Sequence, residues 1–564
     1  MDEHIIKSWN EWRSLKLADE DLNLELDNIK NSEVEITDRF YRDLEFGTGG
    51  LRGVIGAGSN RMNIYTVAKA TQGYSNYLNK SVCSPSVAIA YDSRIKSDVF
   101  AKVAAEVFAA NGIHVYIYPK LMPTPSLSYA VRYLKCSGGI VITASHNPSK
   151  YNGYKVYGKD GCQITTDAAN SILKEIEKLD IFKDVRRVPF EEGILEGKIS
   201  FIDDKVVDEY LNAVSLQSLC GEQIDKGFSI IYTPLNGSGL DCVTKILKNN
   251  GFTNISVVKE QEKPDGEFPT CPYPNPEIKE ALELGLRDAK ERGSELLLAT
   301  DPDCDRVGIA VRNDDDYVLL TGNEVGMLLL DYICKRRSAL GKMPNNPILV
   351  KTIVTIDMAN RIAEDYGVQV IDVLTGFKFI GEQIGFLEEK GEEDRFILGF
   401  EESYGYLTGG YVRDKDAVVG ALMICEMFAY YKTMGVSLID VLEELYKKYG
   451  YCLNTLHSYT FEGAEGFQKM QKIMQELRKN PLKNVEGLDV IEVRDYLEGI
   501  NQLPKSDVLK YMLEKNASIV IRPSGTEPKL KVYLSVSAEN RNAAEQTEAL
   551  IVKRLEKIFD KIIL

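Results

Sequence analysis

What this chain lacks narrows the field before any motif is considered. No apolar run approaches the roughly 20 residues a membrane helix needs, so no membrane partner is expected. Met1-Asp2-Glu3-His4 opens a charged, tryptophan-containing segment without the apolar stretch of a secretion signal. A basic excess is missing too. Lys and Arg total 68 against 84 Asp and Glu, a net charge of −16, and such a surface does not attract a phosphate backbone, so nucleic acid is not an expected partner. The ten cysteines stand singly, without the CxxC spacing of a zinc or redox site. Free thiols in a reducing cytoplasm are the expectation. No Walker A loop and no clean GxGxxG occurs, which argues against nucleotide-type phosphate binding. Low-complexity segments and short-period repeats are absent as well.

What is present is an ordinary globular composition, 44% hydrophobic and 27% charged, over 564 residues. A single core stops growing at about 250–300 residues, so several domains are required. Short apolar runs repeatedly lead into polar, glycine- or proline-containing loops. Gly139–Ile142 precedes Thr143-Ala144-Ser145-His146-Asn147-Pro148, and Leu296–Ala299 precedes Asp301-Pro302-Asp303-Cys304-Asp305-Arg306. Phe396–Leu398 precedes Gly399-Phe400-Glu401-Glu402-Ser403, and Ser518–Ile521 precedes Arg522-Pro523-Ser524-Gly525-Thr526. Such runs read as buried strands. Amphipathic stretches at Ala101–Asn111 and Pro276–Arg292 read as helices between them. The alternation predicts α/β sheets whose ligand loops lie beyond the carboxyl ends of strands. Junctions are expected after the helical Val206–Val214, near Thr321–Glu324 and around Tyr449–Leu456. The expected domains are therefore 1–210, 211–322, 323–452 and 453–564.

Ser145 is the first chemical candidate. A serine hydroxyl is a weak nucleophile unless a base, a metal or a phosphoryl group alters it, and His146 and Lys155 lie near in sequence as proton carrier and cation. The same residue types also make a plain turn. A hydrolase triad is disfavoured because no GxSxG surrounds Ser145. Asp301, Asp303 and Asp305 alternate on one loop, a set of hard oxygen donors that suits magnesium. An EF-hand fails here, since Arg306 and Arg312 fall where Gly and Glu are needed. A haloacid-dehalogenase-type DxD fits poorly, with Asp305 in place of Thr or Val. Arg522 can grip phosphate through two parallel hydrogen bonds, with Ser524, Thr526 and the Gly525 backbone completing an anion nest. Glu401 and Ser403 between Gly399 and Gly405, the turn Thr375-Gly376, and Lys415 read as ligand contacts or as exposed turns. Phe46-Gly47-Thr48-Gly49-Gly50-Leu51-Arg52-Gly53 sets four glycines around one arginine, as a backbone approaching a ligand requires.

FGTGGLRG, TASHNP, DPDCDR, GFEES and RPSGTEPK, in this order over residues 46–529, resemble the α-D-phosphohexomutase superfamily, and its bacterial phosphoglucomutase branch most of all. The resemblance implies four domains around a central cleft, three similar α/β domains followed by a smaller α+β one. It implies an intramolecular phosphotransferase that interconverts glucose 1-phosphate and glucose 6-phosphate through a phosphoserine and a bound hexose 1,6-bisphosphate. Ser145 would carry the phosphoryl group and bind Mg2+ with Asp301, Asp303 and Asp305. Arg52, His146, Lys155 and Arg306 would surround the reacting group. Thr375 and Gly376 would let the sugar bind in two orientations, Glu401 and Ser403 would hold its hydroxyls, and Lys415 would lie near substrate. Arg522, Ser524, Gly525 and Thr526 would hold the phosphate that is not reacting. Mannose or pentose phosphates are the alternatives within the superfamily, and a non-catalytic sugar-phosphate sensor is the alternative outside catalysis. The oligomeric state is not written in these motifs.

Overall fold

The computed structural model describes residues 1–221, 223–461, 463–500, 503–523 and 529–563. The chain divides into two compact units. Met1–Leu320, Ile380–Asp394 and Tyr404–Tyr430 form the first; Thr321–Phe379, Arg395–Ser403 and Tyr431–Leu564 form the second.

The first unit holds two mixed sheets. A seven-stranded sheet runs in the order Phe46–Gly47, Gly50–Val54, Tyr151–Gly158, Gly138–Ile142, Ser86–Tyr91, His114–Ile117, Ile199–Phe201. Its centre is parallel, and Tyr151–Gly158 returns antiparallel beside Gly138–Ile142. The chain from Gly138 to Ile142 is fully buried, which is why it reads as an unbroken apolar run. A five-stranded sheet follows, with Leu296–Thr300 at its centre between parallel Ile230–Thr233 and antiparallel Val307–Asn313. The predicted helices appear at Ser97–Ala110 and Lys279–Arg292. Ahead of the first sheet lie three helices, Glu3–Ser14, Glu20–Ile29 and Glu33–Phe40. They are held by an aromatic cluster in which Trp12 meets Phe40, Tyr65 and Phe182 edge-on at 5.2–6.0 Å. Such edge-to-face pairs add about 0.5–1.5 kcal/mol each beyond area burial.

In the second unit the strands Gln369–Val373, Ile348–Thr352 and Phe396–Glu401 run parallel. The helix Gly322–Ala339 begins with a capping box between Thr321 and Glu324, as the sequence there foreshadows. The C-terminal sheet is antiparallel, in the order Tyr451–Thr460, Lys529–Ala538, Ala517–Pro523, Leu509–Leu513, Leu488–Asp495, Asn484–Val485. The helices Gly463–Lys479 and Arg541–Ile563 accompany it, giving the expected α+β character. Two details differ from expectation, and the first is that Gly399-Phe400-Glu401 continue the parallel strand Phe396–Glu401 instead of following it, the hydrophobic run having understated the strand's length. Second, Arg522 and Pro523 do not lie beyond a strand; they are its last paired residues, opposite Lys531 and Leu530. The rule about carboxyl ends belongs to parallel sheets, and every described pair in this sheet is antiparallel. Among the described residues no single helix is long and apolar enough to cross a membrane.

Candidate functional site

The expected residues of the first unit assemble into one cluster. Strand order explains how. Gly50–Val54 pairs with Tyr151–Gly158, placing Arg52 opposite Gly153 and Lys155 opposite Gly50, while the next strand delivers Ser145. Gly50 permits this pairing: it sits at φ +138°, and a Cβ there would lie 1.8 Å from the Tyr154 carbonyl oxygen.

Ser145 adopts a left-handed backbone, φ 51°, uncommon for a non-glycine residue. Its N–H donates to Thr143 Oγ1 at 2.8 Å, and its buried hydroxyl donates to Asp301 Oδ2 at 2.7 Å with His146 Nδ1 3.1 Å away. Arg94, which no sequence argument singled out, holds this loop from behind. Its guanidinium donates to the carbonyls of Ser145 (2.6 Å), Pro148 and Tyr151 (3.0 Å each), and to that of Asn147. The signal was there, since Asp92-Ser93-Arg94 follows the apolar run Ser86–Tyr91 in the same strand-then-loop arrangement as the recognised motifs.

The three aspartates offer oxygens within 4.8 Å of one another, all buried. Asp301 Oδ1 accepts the N–H groups of Asp305 (3.1 Å) and Arg306 (3.0 Å), which closes the loop. Asp303 Oδ2 accepts from Lys155 and from Thr124 Oγ1, each at 2.9 Å; Thr124 is a second residue the motifs did not reveal. Asp305 Oδ2 pairs with Lys415 at 2.9 Å and Lys155 at 3.4 Å. Lys415 can lie there because residue 405 is glycine, where a Cβ would come within 2.5 Å of the lysine stem. Arg306 pairs with Glu277 and approaches Asp305 Oδ1 at 3.9 Å, and the exposed Arg52 donates to Asn147 Oδ1 at 3.3 Å.

Two oxygens stay over. Asp303 Oδ1 and Asp305 Oδ1 are buried and accept no hydrogen bond from the described residues. Burial and the charges of Asp303 and Asp305 push the Asp301 carboxyl well above the usual carboxylate range. Burial also opposes ionising Asp303, but Lys155, the neighbouring Asp301 carboxyl as a hydrogen-bond partner, and Lys415 outweigh it and hold Asp303 low. Burial, with Arg306 and Arg52 nearby, keeps His146 well below the ordinary imidazole value. Mutually repelling buried carboxylates with unspent hard oxygens fit a divalent cation of the magnesium type.

The second unit gathers the remaining loops. Glu401 Oε1 accepts the Gly376 N–H at 3.0 Å, and Arg522 donates to Thr375 Oγ1. Glu402 accepts from Thr352 and Thr355 at 3.3 Å each, which fixes the turn beside them, while Ser403 stays half-buried. Ser524, Gly525 and Thr526 lie outside the described residues.

A buried serine on a left-handed turn, a carboxylate triad that could hold a divalent cation and a ring of lysines and arginines are the parts that metal-assisted phosphoryl transfer calls for. Comparison makes the class specific. Four family models match in chain order, for phosphoglucomutase/phosphomannomutase α/β/α domains I (residues 43–181), II (208–314) and III (321–449) and the C-terminal domain (468–552). The phosphoglucomutase of Staphylococcus saprophyticus is 36% identical over 521 residues, covering 90% of this chain and 93% of the relative. That of Staphylococcus aureus strain MSSA476 is 36% identical over 539 residues, covering 93% and 95%. Among solved structures, a putative phosphomannomutase from Thermus thermophilus superposes with a TM-score of 0.68 at 22% identity, covering 92% of this chain and 99% of that one. The Paramecium phosphoglucomutase parafusin, in its open form, gives 0.69 at 18% identity, covering 93% and 95%. The chain belongs to the phosphoglucomutase/phosphomannomutase family of the α-D-phosphohexomutase superfamily, and is an enzyme of the phosphohexomutase class.

Proposed function

We propose that this protein is a phosphoglucomutase that interconverts glucose 1-phosphate and glucose 6-phosphate, with Ser145 carrying the transferred phosphoryl group. The observation that carries the reading is the 2.7 Å contact of Ser145 with Asp301, beside the unspent oxygens of Asp303 and Asp305. Curated relatives named phosphoglucomutase support glucose as the sugar.

In this reading the phosphorylated Ser145 donates its phosphoryl group to a hydroxyl of the bound monophosphate. The bond from phosphorus to Ser145 Oγ breaks and a bond to the sugar oxygen forms. The sugar hydroxyl gives up its proton and Ser145 Oγ takes one; of the candidate carriers the neutral His146 can accept while the ion-paired Lys155 and Lys415 can donate. The resulting hexose 1,6-bisphosphate turns around and returns its other phosphate to Ser145. Asp301, Asp303 and Asp305 would hold Mg2+, which when bound neutralises charge on the phosphoryl oxygens. Lys155, Lys415, Arg52 and Arg306 add fixed positive charge where negative charge spreads in the transition state. Glu401 and Ser403 hold the sugar hydroxyls, the Thr375-Gly376 turn accepts both poses, and Arg522 with residues 524–526 grips the idle phosphate.

A coupled mutase assay with Mg2+ and trace hexose bisphosphate tests this across glucose, mannose, ribose and glucosamine phosphates. Glucose phosphates should give the highest kcat/KM, Ser145→Ala should abolish turnover, and intact mass should show one added phosphate that the variant lacks. Normal turnover by Ser145→Ala would end the assignment.

A further inference from the structure

Far along the chain from the serine, a second group of charged side chains is buried inside the second unit. Lys351 is 0% and Lys510 1% exposed. Lys510 Nζ, on the C-terminal sheet, donates to the Ile353 carbonyl at 3.0 Å and to Asp357 Oδ1 at 3.1 Å. Ser518 Oγ, on the neighbouring strand, donates to Asp357 Oδ2 at 2.7 Å. Lys351 continues the chain, 3.4 Å from Asp357 and 2.9 Å from Asp372, its partner across the parallel ladder. Burial disfavours the charged form of Asp357, yet Lys510 and Lys351 outweigh it and hold the carboxyl well below its usual range.

The register gives this cluster its meaning. Lys510 pairs with Val520, so Lys510, Ser518, Val520 and Arg522 share one face of the C-terminal sheet. Ser518 and Arg522 sit on one strand about 13 Å apart, at about 3.3 Å per residue. Both ends of that strand therefore bond to the parallel layer, Ser518 to Asp357 and Arg522 to Thr375. Thr375 stands three residues after Asp372, so the contacts close a circuit. A strand tied at two points cannot slide or tilt without breaking one tie. Buried ion pairs contribute little net stability but restrict geometry, because any other arrangement strands a charge.

We propose that Asp357, with Lys510 and Ser518, is a positioning residue that fixes the height and register of Arg522 over the Thr375-Gly376 turn, and so sets affinity for the phosphate that is not reacting. This rests on the reading of Arg522 as a phosphate grip. It places a determinant of substrate affinity in side chains that touch no substrate.

The test is a KM-against-kcat split with Asp357→Asn, Ser518→Ala and Arg522→Ala in the full-length enzyme, with the sugar monophosphate varied at fixed Mg2+ and bisphosphate. Asp357→Asn should raise KM about tenfold and Ser518→Ala about threefold, with kcat within twofold of the parent. Ser518→Ala removes one hydrogen bond and guards against a misfolded first variant. Asp357→Glu, which keeps the charge, should recover part of the affinity. An unchanged KM in Asp357→Asn and Ser518→Ala while Arg522→Ala raises it overturns the positioning role alone. A fall in kcat with constant KM marks a merely structural residue and overturns it too. An unchanged KM in Arg522→Ala overturns the phosphate-grip reading, and the inference falls with it.

Discussion

The two buried charge clusters are built from the same residue types and behave as opposites. Around Asp301, Asp303 and Asp305 the carboxylates leave two oxygens without a hydrogen bond, and Asp301 is pushed up by burial and by its neighbours. Around Asp357 both carboxylate oxygens are taken, by Lys510, Lys351 and Ser518, and the group is held low. The first cluster is left unfinished by the described residues, whereas Asp357, at the centre of the second, is finished by the protein itself. A buried charge with unspent valence marks a place where something binds, whereas a closed circuit of charge marks architecture. Charge removal or truncation should thus cost turnover in one place and rigidity, with the affinity that rests on it, in the other.

The largest expected effect belongs to the unfinished cluster. Asp301→Asn keeps the shape and relieves the burial and repulsion that push this carboxyl up, so melting should change little or rise. Turnover should collapse, since charge stabilisation by a bound divalent ion is worth several kcal/mol, about 10³ in kcat for about 4 kcal/mol. Isothermal titration with Mg2+ should show the lost affinity directly. A variant that keeps near-normal turnover and Mg2+ binding would erase the contrast between the clusters.

The finished cluster should answer the other way. Lys510→Met leaves Asp357 with one cation fewer in a buried setting, and breaking such a pair costs about 3–5 kcal/mol. Hydrogen exchange reads this locally, which matters in a multidomain chain where one melting curve does not define one free energy. The strands Leu509–Leu513 and Ala517–Pro523 should exchange about 100-fold faster or more, while kcat at saturating substrate stays close to the parent's. Protection unchanged in those strands would show that the circuit carries no strain-bearing role.

The contrast also explains what could be read from the sequence. Ser145 and the aspartate triad were legible because reactive groups need particular residues at close spacing, directly after a buried strand. Three of the four sheets follow the same grammar of apolar run and polar loop, so the α/β character was legible as well. Asp357 and Lys510 carry no such mark: they stand 153 residues apart and meet only because one sheet packs on another layer. Arg94 escaped notice for a related reason, since its partners are backbone carbonyls, which any sequence supplies. The N-terminal helices were opaque because Trp9 and Trp12 find their aromatic partners in Phe40 and, for Trp12, in Tyr65 and Phe182, far along the chain. The strand position of Arg522 was misjudged because a hydrophobic run cannot reveal whether its sheet is parallel.

Asp416 offers a third arrangement, a buried carboxylate with neither a lysine nor an open valence. It is 0% exposed and accepts from Tyr210 and Tyr411 hydroxyls and from the N–H groups of Val418 and Val419. The titratable groups facing it are Tyr210, Tyr411, Cys242 and Cys304, none of them a cation. Burial dominates, and the carboxyl rises from 3.8 to about 6. A folded-state value above the unfolded one means that the folded chain holds the extra proton between these limits. The group therefore favours folding at low pH, and that contribution is lost as pH rises through about 6. Asp416→Asn removes the ionisation, so the variant should gain on the parent as pH rises. From pH 5 to pH 7.5 the difference in stability between the two should move by about 1–2 kcal/mol in the variant's favour, at about 1.36 kcal/mol per unit. Hydrogen exchange of the helix Ala417–Thr433 at both pH values, corrected for intrinsic rates, measures it. A constant difference across that range would mean that the two tyrosine hydroxyls compensate the buried charge as fully as Lys510 and Lys351 compensate Asp357.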